Sequence, residues 1–134
     1  MKDKLLNLLK NSYSPYYKFN VSAIVVTKDG KEFIGVNVEN ANGTSICAER
    51  NAIDNAVANG YKKDDFKEIN IMVSSTKISA PCFACRQVIL EFFNKDDIIR
   101  CFNINGEYKE YTVNELCPYP FDEGDLKWKV VLFQ

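Results

Sequence analysis

An α/β fold of three layers, α/β/α, with a mixed central sheet is what this sequence predicts. Short apolar, β-branched runs alternate along it with segments whose apolar residues recur at helical spacing, the alternation that packs helices against a sheet. Its 134 residues suit one domain spanning 1–134. No repeat, low-complexity segment or linker interrupts them.

Leu5, Leu6, Leu8 and Leu9 form an apolar stripe between Lys and Asn, which predicts an amphipathic helix over 3–11. The Tyr/Pro segment 13–17 follows as an extended loop. Phe19 to Val26 is apolar and β-branched, Lys28-Asp29-Gly30-Lys31 supplies a turn, and Glu32 to Val38 resumes a strand, together a hairpin. After a loop with Asn42-Gly43, the spacing of Ile46, Ala48, Ile53, Ala56 and Val57 predicts a helix that Gly60 ends. Ile69 to Val73 reads as a short buried strand, and Cys82 to Phe93 as a helix opened by Pro81. Ile98 to Phe102 is a strand, Asn105-Gly106 a turn, and Glu107 to Thr112 alternates. Thr112 with Glu115 predicts a capping box for a short helix, and Trp128 to Phe133 predicts a last strand. Strand order is not legible at this level.

Hydrophobic residues make up 46% and charged residues 26%, an ordinary globular balance that argues against disorder. With 17 basic against 18 acidic residues the chain lacks the basic excess that grips polynucleotide phosphates, so no nucleic-acid partner is expected. The first ten residues carry too short and interrupted an apolar run for a secretory signal, and no run suits a membrane span. Five cysteines, an odd number including a CxxC pair, fit a reduced compartment better than a disulfide framework. The expectation is a cytoplasmic protein without a membrane partner.

Histidine is absent, which removes the commonest general base and the commonest metal ligand together. Cys47-Ala48-Glu49-Arg50 opens one predicted helix, and Pro81-Cys82-Phe83-Ala84-Cys85-Arg86 opens another. Helix N-termini present unpaired N–H groups and partial positive charge, which steady thiolates, the form a metal requires. Cys47, Cys82 and Cys85 converging from two helix starts could hold one Zn2+, leaving the fourth tetrahedral position to water as catalytic sites do. Three thiolates outweigh the two charges of the metal, and Arg50, three residues after Cys47 on the same helical face, could donate to the sulfurs. Glu49 is not among the ligands, and its carboxylate could move protons in place of histidine.

CxxC alone also suits a redox pair or a structural zinc, and a closed site with Glu49 as fourth ligand would be a binding module without turnover. Cys47 in a second helix start favours the zinc site over a redox pair. Cys101 and Cys117 are expected to be packing residues.

Five ordered motifs give the chain its resemblance: Tyr16-Tyr17-Lys18-Phe19, Asn37-Val38-Glu39-Asn40, Cys47-Ala48-Glu49-Arg50, Pro81-Cys82-Phe83-Ala84-Cys85-Arg86-Gln87 and Leu116-Cys117-Pro118. The chain resembles the cytidine deaminases of the small, homotetrameric, zinc-dependent kind, with blasticidin-S deaminases as relatives. The likeness runs from about Tyr13 to Phe121. It implies a cytidine-deaminase-like fold and hydrolysis of the exocyclic amine of cytidine and deoxycytidine to uridine and deoxyuridine with release of ammonia, a pyrimidine-salvage reaction. Cys47, Cys82 and Cys85 would bind zinc and Glu49 would shuttle protons, first to the ring nitrogen and then to the departing amine. Asn37 and Glu39 match the pair that holds the ribose hydroxyl, Phe19 an aromatic beside the substrate, and the Ala48 N–H a contact to the base. Phe121 stands where an aromatic reaches a neighbouring subunit's site.

Read without the resemblance, Phe19 is equally a core residue and Asn37 to Asn40 equally the end of a strand. Three departures from the family pattern bear on substrate choice. Phe83 replaces a common Gly between two ligands and is expected to narrow or reshape the pocket. The 41–46 loop is one residue short and lacks its usual Tyr, and Ser22 replaces a Gly. A deaminase of a modified cytosine nucleoside or an aminonucleoside antibiotic such as blasticidin S is the alternative, with the same zinc centre.

Overall fold

In the computed structural model, which describes residues 1–127, one five-stranded sheet runs in the order β2-β1-β3-β4-β5. Its strands are β1 (Val21–Thr27), β2 (Glu32–Val36), β3 (Phe66–Val73), β4 (Ile98–Phe102) and β5 (Tyr108–Thr112). Helix α1 (Lys2–Leu9) lies on one face, and α2 (Ala48–Ala58) and α3 (Phe83–Phe92) lie on the other, so the three layers expected from the sequence are present. Two single turns, α4 (Val113–Leu116) and α5 (Glu123–Leu126), complete the described elements. Among the described residues no helix is long and apolar enough to cross a membrane.

The sheet is mixed because its connections differ in length. A tight turn joins β1 to β2 antiparallel, with Gly30 in the left-handed region at φ 86°. The α3 crossover allows β4 to run parallel to β3, while β5 returns antiparallel. Alternation then sorts the side chains. Ala23, Val25, Ile69, Ile71, Ile99 and Cys101 meet Ala52, Ile53 and Ile89 of α2 and α3 in the larger core. Ile24, Met72 and Phe102 point the other way and meet Leu5 and Leu9 of α1. Ser22 lies on this α1 face, where its hydroxyl donates to the Leu5 carbonyl at 2.9 Å, away from the cysteines. Cys101 and Cys117 are buried and pack as expected.

Several boundaries differ from the sequence reading for local reasons. Strand β2 stops at Val36 because Val38 pairs instead with both Tyr13 and Ile46. That pairing also holds Ile46 out of α2, which begins at Ala48. β3 starts at Phe66, three residues before Ile69, because the Phe66 ring is buried against Phe92 and Phe93. The Thr112–Glu115 capping box is formed. A second box, Asp122 with Asp125, starts the unexpected α5. The strand expected over Trp128 to Phe133 lies outside the described residues.

Gly35 fixes the distance between β2 and α2. A Cβ there would fall 2.3 Å from the Ala52 nitrogen and 2.5 Å from the Ala48 carbonyl oxygen, so only glycine lets the helix backbone lie this close. The first residues of α2 are thereby set at the edge of the sheet where the cysteines gather.

Candidate active site

Cys47 and Cys82 are each the N-cap of their helix, both in extended conformation and neither using its side chain for a cap hydrogen bond. Cysteine here takes the place where Ser, Thr or Asp ordinarily accepts the free N–H groups of the first turn. Cys85 lies one turn into α3. The three sulfurs lie within 4.8 Å of one another. Zinc–sulfur bonds of about 2.3 Å place tetrahedral sulfurs about 3.8 Å apart, so the cluster is of the size a single ion draws together. Soft thiolate donors at two positive helix ends suit zinc on chemical grounds as well.

Arg50 donates through a terminal nitrogen to the Cys47 sulfur at 3.2 Å. Its Nε is buried and finds no acceptor among the described residues, so a cation stands beside the sulfurs with donor capacity to spare. The Cys47 thiol is lowered to about 5, first by the hydrogen bond from Cys85 and then by Arg50. Cys85 is pushed up in return, foremost by that shared hydrogen bond.

Glu49 follows Cys47 into the first turn of α2 and is only 6% exposed. Burial pushes its carboxyl up to about 7; the Cys47 charge adds to this, while its own backbone N–H works against it. A carboxyl balanced near neutrality can both take and give a proton. Ala48, the first residue of α2, has an N–H with no acceptor inside the helix.

A cavity of about 500 Å³ opens beside the cysteines. Phe19, Asn37, Glu39, Cys47, Ala48, Glu49 and Cys82 all line it; Cys85 and Arg50 lie beside the Cys47 sulfur behind the wall, while Phe83 and Phe121, also singled out in the sequence, are not among its lining residues. Tyr17, Ser45, Ser79 and Ala80 also line it, and the sequence reading missed them. Among the described residues no Lys or Arg lines it.

Asn37 and Glu39 flank Val38, whose parallel bridge to Tyr13 places Ser12 and Ser14 beside them. Ser12 Oγ donates to Asn37 Oδ1 at 2.5 Å, and Val21 N–H donates to the same oxygen at 2.8 Å. Glu39 accepts from Ser14 Oγ at 2.5 Å and from the N–H groups of Tyr16 and Tyr17 at 3.0 and 3.2 Å. The matching alternation, Ser-x-Ser facing Asn-x-Glu, was the signal in the sequence that could have revealed these partners.

Phe83 departs from its expected place. Its side chain is 77% exposed and stacks on Arg86, whose guanidinium carbon lies 4.3 Å from the ring centre, and it is not part of the cavity wall. As the first residue of α3 it projects outward while Cys82 and Cys85 turn inward. Phe121 is likewise exposed, with its carbonyl accepting from Gln87 at 2.7 Å.

Residues 1–101 match the family described as "Cytidine and deoxycytidylate deaminase zinc-binding region". A cytidine deaminase of Sporosarcina psychrophila is 38% identical over 120 residues, covering 89% of this chain and 87% of that protein. A blasticidin-S deaminase of Bacillus cereus is 31% identical over 113 residues, 78% of each chain. The crystal structure of a cytidine deaminase from Burkholderia pseudomallei superposes with a TM-score of 0.82 at 36% identity, covering 90% of this chain and 99% of that one. With three gathered cysteines at two helix starts, a buried carboxyl beside them and the family profile matched across both, the chain belongs to the cytidine and deoxycytidylate deaminase family.

Proposed function

We propose that this protein hydrolyses the exocyclic amine of cytidine and deoxycytidine, releasing ammonia and leaving uridine and deoxyuridine. The observation that carries the reading is Glu49: a buried carboxyl, balanced near neutrality, on the wall of a nucleoside-sized cavity beside three sulfurs. Cys47, Cys82 and Cys85 would hold zinc, which when bound supplies Lewis acidity toward water. Glu49 takes the first proton that water gives up and passes it to the ring nitrogen; it then takes the second from the hydroxyl now bonded to the ring carbon and gives it to the amine, which leaves as ammonia while the carbonyl forms. Arg50 offsets the negative charge of the sulfurs. Ala48 offers its N–H to the base, Phe19 its ring to the side of the substrate, and Asn37 with Glu39 the polar groups for the sugar hydroxyls.

The lining favours a free nucleoside over a nucleotide. Among the described residues its charged side chains are two carboxyls, Glu39 and Glu49, with no Lys or Arg to receive a phosphate. Blasticidin S and modified cytosines are the alternative substrates. The outward position of Phe83 removes one reason to expect them, because its ring does not narrow the cavity.

Assembly as a homotetramer, one domain per chain, belongs to the same reading, as do a cytoplasmic location and a role in pyrimidine salvage. The exposed rings of Phe83, Tyr119 and Phe121 beside α3 support the assembly, since single soluble chains rarely leave such a group of aromatics bare. The test of the activity is the ultraviolet change when the zinc-loaded protein meets cytidine, deoxycytidine, cytosine and blasticidin S in parallel. Loss of the cytidine absorption is expected; turnover of blasticidin S alone would replace this reading with the alternative.

A further inference from the structure

The turn from Ser14 to Phe19 carries chemistry that deamination leaves unassigned. Ser14 is 8% exposed and stands just past the bridge between Tyr13 and Val38. Its hydroxyl does two things at once: it donates to Glu39 Oε2 at 2.5 Å and accepts the Phe19 N–H at 3.0 Å. Its carbonyl accepts the Lys18 N–H at 3.0 Å, closing the turn. Lys18 sits at φ 52°, in the left-handed region that a lysine rarely adopts, so this shape is imposed by its bonds. The Phe19 carbonyl in turn accepts from Asn37 Nδ2 at 2.7 Å. The peptide groups of Phe19 are therefore held from both sides, by Ser14 and by Asn37.

A carboxylate has about four lone-pair positions on its two oxygens. Three donors from this one turn occupy positions on Glu39: the Ser14 hydroxyl on Oε2, and the Tyr16 and Tyr17 N–H groups on Oε1. One position, on Oε2, is left without a donor among the described residues, and Glu39 itself lines the cavity. Burial alone would raise its carboxyl, but the Ser14 hydroxyl and the two N–H groups bring it below its ordinary value, so it stays an anion and an acceptor.

We propose that Ser14 is a positioning residue for sugar recognition, its hydroxyl aiming the free lone pair of Glu39 into the cavity and tying that carboxylate to the backbone of Phe19. The sugar and base sides of the cavity are thereby set by one group. This rests on the reading of Glu39 as the acceptor for a sugar hydroxyl.

The test compares Ser14→Ala with Glu39→Gln on cytidine and on 2′,3′-dideoxycytidine, which lacks the ring hydroxyls of the sugar. Ser14→Ala is expected to raise the KM for cytidine about tenfold, as loss of a hydrogen bond to a charged group does, with kcat within about twofold. Zinc content stays unchanged, and the KM or inhibition constant of dideoxycytidine moves far less. The double variant is expected to be no worse than Glu39→Gln alone, because the serine acts through the carboxylate. If Glu39→Gln does not separate the two compounds, the reading of Glu39 fails and takes the proposal with it. If Glu39→Gln separates them while Ser14→Ala leaves both unchanged, or weakens both equally, the role of Ser14 is overturned and Glu39 stands. Should the alanine variant fail to fold, Ser14→Cys keeps the size with a weak donor and carries the same comparison.

Discussion

The guanidinium of Arg50 donates to the sulfur of Cys47 at 3.2 Å, from one turn further along the same helix. The pair joins a cation to an N-cap thiol that the Cys85 hydrogen bond and Arg50 together lower to about 5. Arg50→Gln keeps a donor but removes the charge. The Cys47 thiol is expected to rise toward its ordinary range, and zinc affinity at neutral pH to fall about tenfold to a hundredfold, as for other groups that support metal ligands. Competition with a chromogenic chelator measures it, and an unchanged affinity would show the charge to be immaterial.

Glu49→Gln separates metal binding from turnover. The amide fills the same space but moves no proton, so zinc per chain is expected to hold while kcat drops about a hundredfold to ten-thousandfold. Metal analysis beside the ultraviolet assay decides it; loss of the zinc would make Glu49 a ligand of a closed site.

The same substitution predicts a pH signature in stability. Burial raises the Glu49 carboxyl from 4.5 to about 7, so between those values the folded chain binds a proton that the unfolded chain has lost. Stability therefore falls as pH rises through that window, and above it the ionised carboxylate costs up to about 3 kcal/mol. Metal-stripped Glu49→Gln is expected to exceed the equally stripped parent in urea midpoint at about pH 8 and to match it near pH 4, where both side chains are neutral. Equal midpoints at both pH values would contradict the shift.

Gly35→Ala places a methyl group against the backbone of α2, 2.3 Å from the Ala52 nitrogen. Neither backbone can yield alone, and a loss of about 3 kcal/mol is expected. The displacement also moves Ala48 and Cys47, so activity should fall at temperatures where the variant is still folded. Thermal unfolding and activity recorded together test both parts.

Phe83→Ser removes an exposed ring stacked on Arg86 without touching the cavity wall. Zinc content is expected to be unchanged, while sedimentation across a dilution series should show smaller species than the parent. Identical sedimentation would count against the proposed assembly through this face.

Much of the site was legible because its signals are local. Cys47 and Cys82 mark two helix starts and two members of one sulfur cluster in the same residues, and Glu49 and Arg50 follow within one turn. Asn37 and Glu39 were found through the resemblance, but their partners were not, since Ser12 and Ser14 reach them only through the bridge between Tyr13 and Val38. The outward direction of Phe83 was also hidden: spacing in the motif places it between two ligands, whereas the first turn of α3 turns it to the opposite side. Strand order depended on which segments cross over, and the parallel pairing of β3 with β4 leaves no mark in either strand alone.

The sulfurs come from both sides of β3 in the chain, Cys47 before it and Cys82 and Cys85 after it, while Phe19 enters ahead of β1. No stretch of the chain that lacks the central strands can bring them together. Assembly of the centre is thus tied to late, non-local steps in folding, when loop-closure entropy has been overcome. Refolded in the presence of cobalt, a visible stand-in for zinc, the protein should gain thiolate-to-metal colour with its slowest major phase, so that metal capture serves as a clock for completion of the sheet.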